Sequence, residues 1–256
     1  ILSNIDVSLN YAQAMILSPT RELSIQIHDV VTKIGSMMNG LNVQLCIGGT
    51  SVEKDEHSFL KNTPHVIVGC TGRIYDLLCR KTLIVSKINT LVLDEADEML
   101  YGGFKDQVKD IFRFMPEKCQ FAFFSATVTP YMMDSVDEIM MDPLHIIVKK
   151  EALTLEGISQ YYVALNNDQH KYETLKDLYS KLTVSQCIIY CNSVSRVQHL
   201  TESLLAEEFP VCCIHSNMDK QGRTKALQDF KNGRHRILIS SDVTARGIDV
   251  QQVGIV

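Results

Sequence analysis

Short apolar runs of strand length alternate with longer amphipathic stretches along the whole chain, and this rhythm narrows the possible folds more than any single motif. Ala14–Ser18, Val43–Ile47, His65–Gly69, Thr90–Leu93 and Gln120–Phe124 are bounded by polar or turn residues, as strands are. Between them, Glu22–Met38, Ser51–Lys61, Arg73–Arg80 and Phe104–Phe114 carry helical spacing. A strand–helix repeat of this kind predicts parallel sheets covered by helices on both faces. The rhythm pauses over 149–157, a charged stretch of weak apolar periodicity that ends in Gly157. It then restarts with strand Ile158–Ala164, helix Gln169–Leu182, strand Gln186–Cys191 and helix Val194–Glu208. Strand Val211–His215, helix Asp219–Lys231 and strand Arg236–Ser240 complete the series. The expectation is therefore two α/β domains, 1–148 and 158–256, joined by a linker over 149–157.

Length agrees, since 256 residues at roughly 150 per domain suit one or two domains. The net charge of −5 excludes a global positive field, so any nucleic acid must be bound by local clusters. No apolar run approaches the roughly 18 residues of a membrane span. The eight cysteines form no C-x-x-C pair and no histidine cluster follows them, which argues against zinc. They read as small hydrophobes of a reducing compartment. The opening Ile1 has no charged leader behind it, and the last residues, Val253-Gly254-Ile255-Val256, look like a strand cut short. The chain reads as a fragment.

In a doubly wound sheet, ligands bind beyond the carboxyl ends of the strands. The run Leu91-Val92-Leu93 is followed there by Asp94-Glu95-Ala96-Asp97. Two carboxylates leaving a buried strand suit an Asp that holds hydrated Mg²⁺ beside a Glu that activates water. An acid that merely caps the next helix is the plainer alternative. Ser18-Pro19-Thr20-Arg21, Gly48-Gly49-Thr50, Thr71-Gly72-Arg73 and Ser125-Ala126-Thr127 end the other strands of this half. Glycines admit a close backbone approach, and small hydroxyls with helix N-terminal amides bind phosphates. Singly each is a turn with a cap; five on one edge point to a polyanion site. The second half repeats the habit with Cys191-Asn192-Ser193, His215-Ser216-Asn217 and Ser241-Asp242, the last leading into Ala245-Arg246-Gly247-Ile248-Asp249.

The ordered series PTREL (19–23), GG (48–49), GR (72–73), DEAD (94–97), SAT (125–127) and SDVTARGID (241–249) resembles the DEAD-box RNA helicases of superfamily 2. Gly103–Gln107, VKKEALTLEGI (148–158) and GIDVQQV (247–253) are most similar to its translation-initiation branch, with the exon-junction type a near neighbour. The resemblance implies two tandem RecA-like domains, both truncated here, and an ATP hydrolase that unwinds RNA in the cytoplasm. It implies that Asp94 coordinates Mg²⁺ through water, that Glu95 is the general base, and that Asp97 couples to Ser125 and Thr127. Gly247 and Asp249 would reach the ATP from the second domain. RNA would lie on Pro19, Thr20, Arg21, Gly49, Gly72, Arg73, Arg223 and Ser241, through sequence-independent backbone contacts. A HEAT-repeat scaffold protein is the implied partner of a monomeric enzyme that needs no membrane.

The departures are specific. The 256 residues contain no G-x-x-x-x-G-K-[ST] and no HRxGRxxR, and His235-Arg236-Ile237 only imitates the latter. The family's TPGR stands here as Cys70-Thr71-Gly72-Arg73, and its glutamine at the start of an RNA-contacting helix is Lys220. These 256 residues alone are therefore expected to hydrolyse no ATP. A non-catalytic paralogue that binds RNA or a partner is the competing expectation.

Overall fold

The computed structural model describes residues 1–148, 157–167, 169–182, 185–244, 248 and 250–256. Most of the expected linker, 149–156, lies outside them, as do Gly247 and Asp249. Five strands form the first sheet: β1 (Ala14–Ser18), β2 (Val43–Cys46), β3 (Val66–Cys70), β4 (Thr90–Asp94) and β5 (Gln120–Phe124). Every pairing is parallel, and the spatial order is β2-β3-β1-β4-β5. The helices of this half are α1 (Arg21–Ile34), α2 (Val52–Lys61), α3 (Thr71–Cys79), α4 (Ala96–Leu100), α5 (Lys105–Arg113) and α6 (Pro130–Ile139).

Side chains alternate across a strand, so each strand feeds two cores. Met15, Leu17, Ile67, Leu91 and Leu93 point to one face and pack with Ile74 and Leu77 of α3, Met99 of α4 and Ile111 of α5. Ala14, Ile16, Val66, Val68 and Val92 point to the other and meet Ile27 and Val31 of α1. Helix α1 stops at Ile34, short of the expected Met38, because Gly35 caps it and a 3₁₀ turn follows over Gly35–Met37. Helix α4 is too short to show a helical period, and periodicity misses it.

The second sheet is built from β6 (Gln186–Tyr190), β7 (Val211–Ile214), β8 (Ile237–Ser240) and β9 (Val253–Ile255), in the order β7-β8-β6-β9, again all parallel. Helices α7 (Gln169–Lys181), α8 (Val194–Ala206) and α9 (Lys220–Lys231) accompany it. Val197 and Leu204 of α8 cover Cys187, Val211, Ile237 and Ile239, and Phe230 of α9 fills the opposite face against Ile188, Ile214 and Leu238. Burial pushes the Cys187 thiol up to about 11 and that of Cys212 to about 12, the behaviour of small packed hydrophobes. The expected strand Ile158–Ala164 is not formed: these residues join no ladder, and Tyr161 and Tyr162 are 90% and 92% exposed. A strand needs a neighbouring backbone to receive its hydrogen bonds, and this segment lies in register with none of the four strands.

His215, just past β7, is buried, and its Nδ1 has no hydrogen-bond partner among the described residues. Burial holds its pKa below the ordinary histidine value, so the proton binds the unfolded chain more tightly than the folded one. His215 therefore costs no stability above its unfolded pKa and costs increasingly more as pH falls through it. The melting temperature of His215→Gln is expected to drop less than wild type between about pH 7.5 and pH 5.5. Equal drops in both proteins would refute this.

Candidate functional site

Because all strands are parallel, their carboxyl ends share one edge of each sheet, and strand order decides which loops are neighbours. In the first domain the order brings together Gly48-Gly49-Thr50 after β2, Thr71-Gly72-Arg73 after β3 and Pro19-Thr20-Arg21 after β1. The acidic Asp94-Glu95 after β4 and Ser125-Ala126-Thr127 after β5 lie next to them on the other side.

The loops on the first side are tightly built. The Thr20 hydroxyl accepts from the Leu23 N–H at 3.2 Å and caps α1. Ser18 and Ser24 share a 2.6 Å hydrogen bond, and Ser24 reaches the Cys70 thiol at 3.2 Å, tying the ends of β1 and β3 together. Burial pushes the Cys70 thiol up, although Ser24 and Arg21 pull it down. Gly72 sits exposed in the first turn of α3, whereas Thr71 is buried.

Arg73 is held from within the domain. Its guanidinium donates to Asp55 Oδ2 at 2.5 Å, to the Thr50 carbonyl at 2.5 Å and to Thr50 Oγ1 at 3.2 Å. The Arg73 and Asp55 side chains are only 8% and 6% exposed. Arg73 is thus engaged inside the domain, where it clamps the Gly48–Thr50 loop against α2. Asp55 lies between Val52 and Phe59, which pack on the core. A carboxylate on the apolar stripe of a helix was the signal for a buried partner, and only the structure names that partner.

At the acidic end, Glu95 has φ +55° and ψ +49°, a left-handed conformation that is strained for a residue with a Cβ. This elbow ends β4 and starts α4 at once, leaving Asp94 and Glu95 at the sheet edge. One Asp94 oxygen accepts from the Glu95 N–H at 3.0 Å. Thr127 Oγ1 donates to Asp97 Oδ2, and Ser125 Oγ donates to the Thr127 carbonyl at 2.8 Å. Asp97 is therefore joined directly to Thr127, and Ser125 enters through Thr127.

No group of three metal-ligating side chains occurs among the described residues. Mg²⁺ does not require one: it keeps several waters and takes one or two carboxylates with substrate phosphates. The hard oxygens of Asp94 and Glu95 at an exposed strand end fit that pattern.

The second domain meets this edge through α9. Asp219 caps the helix by accepting from the Gly222 N–H at 2.6 Å. Arg223 then lies 3.6 Å from Glu22 of α1, both side chains being nearly buried. Arg21 and Gly49 line a cleft of about 560 Å³ with Lys220, Lys225 and Arg234. One Arg21 nitrogen and the Arg223 Nε are buried without a hydrogen-bond partner among the described residues. Burial lowers the Arg21 pKa, and Glu22 offsets part of that. Ser241, after β8, donates its N–H to the Ile214 carbonyl at 3.2 Å.

The DEAD/DEAH box helicase pattern matches residues 1–135, more than half of the chain, and the helicase conserved C-terminal domain matches residues 170–256. The chain belongs to the DEAD/DEAH box helicase family. Among curated relatives of the family, the ATP-dependent RNA helicase eIF4A of Schizosaccharomyces pombe is 46% identical over all 256 residues. The eukaryotic initiation factor 4A of Caenorhabditis elegans is 44% identical over the same span. The chain covers 65% and 63% of these relatives' lengths. Among solved structures, Saccharomyces cerevisiae Dbp5 bound to RNA and ADP BeF3 superposes with a TM-score of 0.91 at 30% identity, over 99% of this chain and 64% of that one. The fold is thus that of two RecA-like α/β domains, as the motif order implies.

Proposed function

We propose that this chain carries the working surfaces of an ATP-dependent RNA helicase that acts in translation initiation. The observation that supports this most is the cleft that Arg21 and Gly49 of one domain form with the cationic face of α9 from the other. A cavity lined by both domains and by Arg21, Lys220, Lys225 and Arg234 suits a polyanion backbone. On this reading Pro19, Thr20, Arg21, Gly49, Gly72 and Ser241 contact phosphate and sugar. Arg223 shares its guanidinium between Glu22 and the RNA. Arg73 acts at one remove, by holding the Thr50 loop in place.

Asp94 would hold Mg²⁺ through its water shell, and the ion would supply charge neutralisation at the phosphate oxygens of ATP. Glu95 takes the proton of the attacking water. The hydrogen bond from Thr127 to Asp97 links that carboxylate pair to the end of β5. The family resemblance alone assigns Gly247 and Asp249, which lie outside the described residues, to the nucleotide. ATP and RNA together favour the closed pair of domains, a short duplex is bent until one strand leaves, and hydrolysis releases the grip. The names of the relatives support a cytoplasmic translation factor. We further propose a monomer held by a HEAT-repeat scaffold.

Competition binding tests the RNA assignment. A labelled single-stranded oligouridylate should be displaced by unlabelled RNA of any sequence but poorly by DNA, because telling the two apart requires reading the 2′-OH. Arg21→Ala should weaken binding uniformly across sequences and lower the salt slope by about 0.7, the share of one phosphate on a single strand. Wild-type protein with no affinity for RNA, or an Arg21→Ala variant that binds as wild type does, would refute the assignment.

A further inference from the structure

We infer that Tyr101 and Tyr131 are positioning residues, whose ring contact holds the loop after β5 so that Thr127 stays within reach of Asp97. The catalytic meaning of that hydrogen bond rests on the helicase reading above. Strands β4 and β5 run parallel with Asp94 opposite Phe124. Three residues further along each segment, Thr127 Oγ1 donates to Asp97 Oδ2. Four residues beyond that, the rings of Tyr101 and Tyr131 meet edge to face, with centroids 5.6 Å apart and planes at 80°. All three pairs are separated by the same 30 residues of chain. The two segments thus leave the sheet side by side. The strand ladder brackets the hydrogen bond at one end, and the ring pair brackets it at the other.

The second bracket matters because the hydrogen bond cannot order the loop unaided. Residues 125–129 belong to no helix or strand, and Thr127 is exposed. A hydrogen bond open to water gains less than the entropy lost in fixing several loop residues. Helix α6 fixes the far end of the loop in part: Thr129 accepts from the Met132 N–H at 3.2 Å, and Met132 and Val136 sit in the core. The tyrosines add a contact that burial does not explain, since they are 70% and 44% exposed. Edge-to-face geometry is itself favourable. Tyr101 directly follows α4, which Met99 and Leu100 anchor in the core. The Tyr131 ring is also held from α5, because the Lys105 ammonium lies 4.8 Å from its centroid and 3.5 Å from Glu138 of α6. Lys109 binds the same carboxylate. Rings anchored on α4 and α6 therefore fix the distance between two helix ends, and with it the distance from Asp97 to Thr127.

A double-mutant cycle in urea tests this with the full 256-residue chain. Thr127→Val keeps the side-chain shape and removes the donor. It is expected to lower the folding equilibrium constant of the first domain about fivefold, as loss of one hydrogen bond does. In a Tyr131→Ala or Tyr101→Ala background the same substitution should cost less than about twofold, because the hydroxyl no longer meets the carboxylate. Tyr131→Phe keeps the ring and should retain the full cost of Thr127→Val. Phe112→Leu disrupts another ring pair of the same domain, that of Phe112 with Phe121 at 4.8 Å, and controls for general loss of stability. It should leave the cost of Thr127→Val unchanged. An equal cost in every background would overturn the inference, as would a Thr127→Val variant as stable as wild type. So would a Tyr131→Phe variant that behaves like Tyr131→Ala, since the ring would then not be what holds the loop. Coupling in a chain with no affinity for RNA removes the helicase reading alone. RNA binding without coupling removes this inference alone.

Discussion

Asp55→Ala is expected to destabilise the first domain by about 3–5 kcal/mol, because it strands the Arg73 guanidinium in a buried site. The partner geometry is unambiguous: 2.5 Å between Arg73 Nη1 and Asp55 Oδ2, with both side chains under a tenth exposed. Burial pushes the Asp55 carboxyl up, by more than the hydrogen bond and charge of Arg73 pull it down. Desolvation thus outweighs the pairing, as is common for interior ion pairs. Two consequences follow. The double variant Asp55→Leu with Arg73→Met should recover most or all of the lost stability, since it removes both charges and fills the space. A carboxyl raised in the folded state stabilises fully below its unfolded pKa and progressively less as pH rises through the folded value, so the pair contributes least at neutral pH. Urea denaturation of the three proteins measures all of this. A cost below about 1 kcal/mol for Asp55→Ala, the size of a surface pair, would show that the contact does not hold the loop. The single variant should also weaken RNA binding, because Thr50 loses the guanidinium that grips its carbonyl and hydroxyl.

The second large effect concerns ATP turnover. These 256 residues contain no G-x-x-x-x-G-K-[ST], so nothing in them supplies the lysine and backbone cradle that phosphoryl transfer uses. Purified alone, the chain should hydrolyse no ATP above a Glu95→Gln control, with or without RNA. A chimera carrying the parts of the Schizosaccharomyces pombe relative that lie outside the matched region should gain RNA-stimulated hydrolysis. In that chimera Glu95→Gln should reduce turnover by about 10²–10⁴-fold, the usual worth of a positioned general base. Turnover by the 256-residue chain above its control would sink the first half of this prediction. A chimera that binds RNA yet remains inert would favour the paralogue that binds without catalysis.

Much of the site was legible before any coordinates. The short apolar runs place every strand of the first sheet to within a residue at either end. Ala14–Ser18 and Gln120–Phe124 agree at both. Asp94, Glu95, Thr127 and Arg21 stand out because each follows an apolar run, and residues there must lie at a sheet edge. Other readings went astray where the outcome depended on a distant partner. Ile158–Ala164 falls where the strand–helix rhythm calls for a strand but joins no ladder. The partner of Arg73 was likewise hidden until the fold showed that α2 delivers Asp55 to it.

The division has a physical basis. Side-chain periodicity, capping and turn chemistry act over a few residues, so the sequence by itself determined the strand–helix alternation, the motif order and the polar residues at each strand end. Strand pairing and ion pairing join residues far apart in the chain and are decided by packing. Only the tertiary structure set the order β2-β3-β1-β4-β5, which gathers the glycine and arginine loops on one side of β1 and the carboxylates on the other. Only it brought Lys220 against Gly49 and Arg223 to Glu22, contacts that span more than 150 residues of chain.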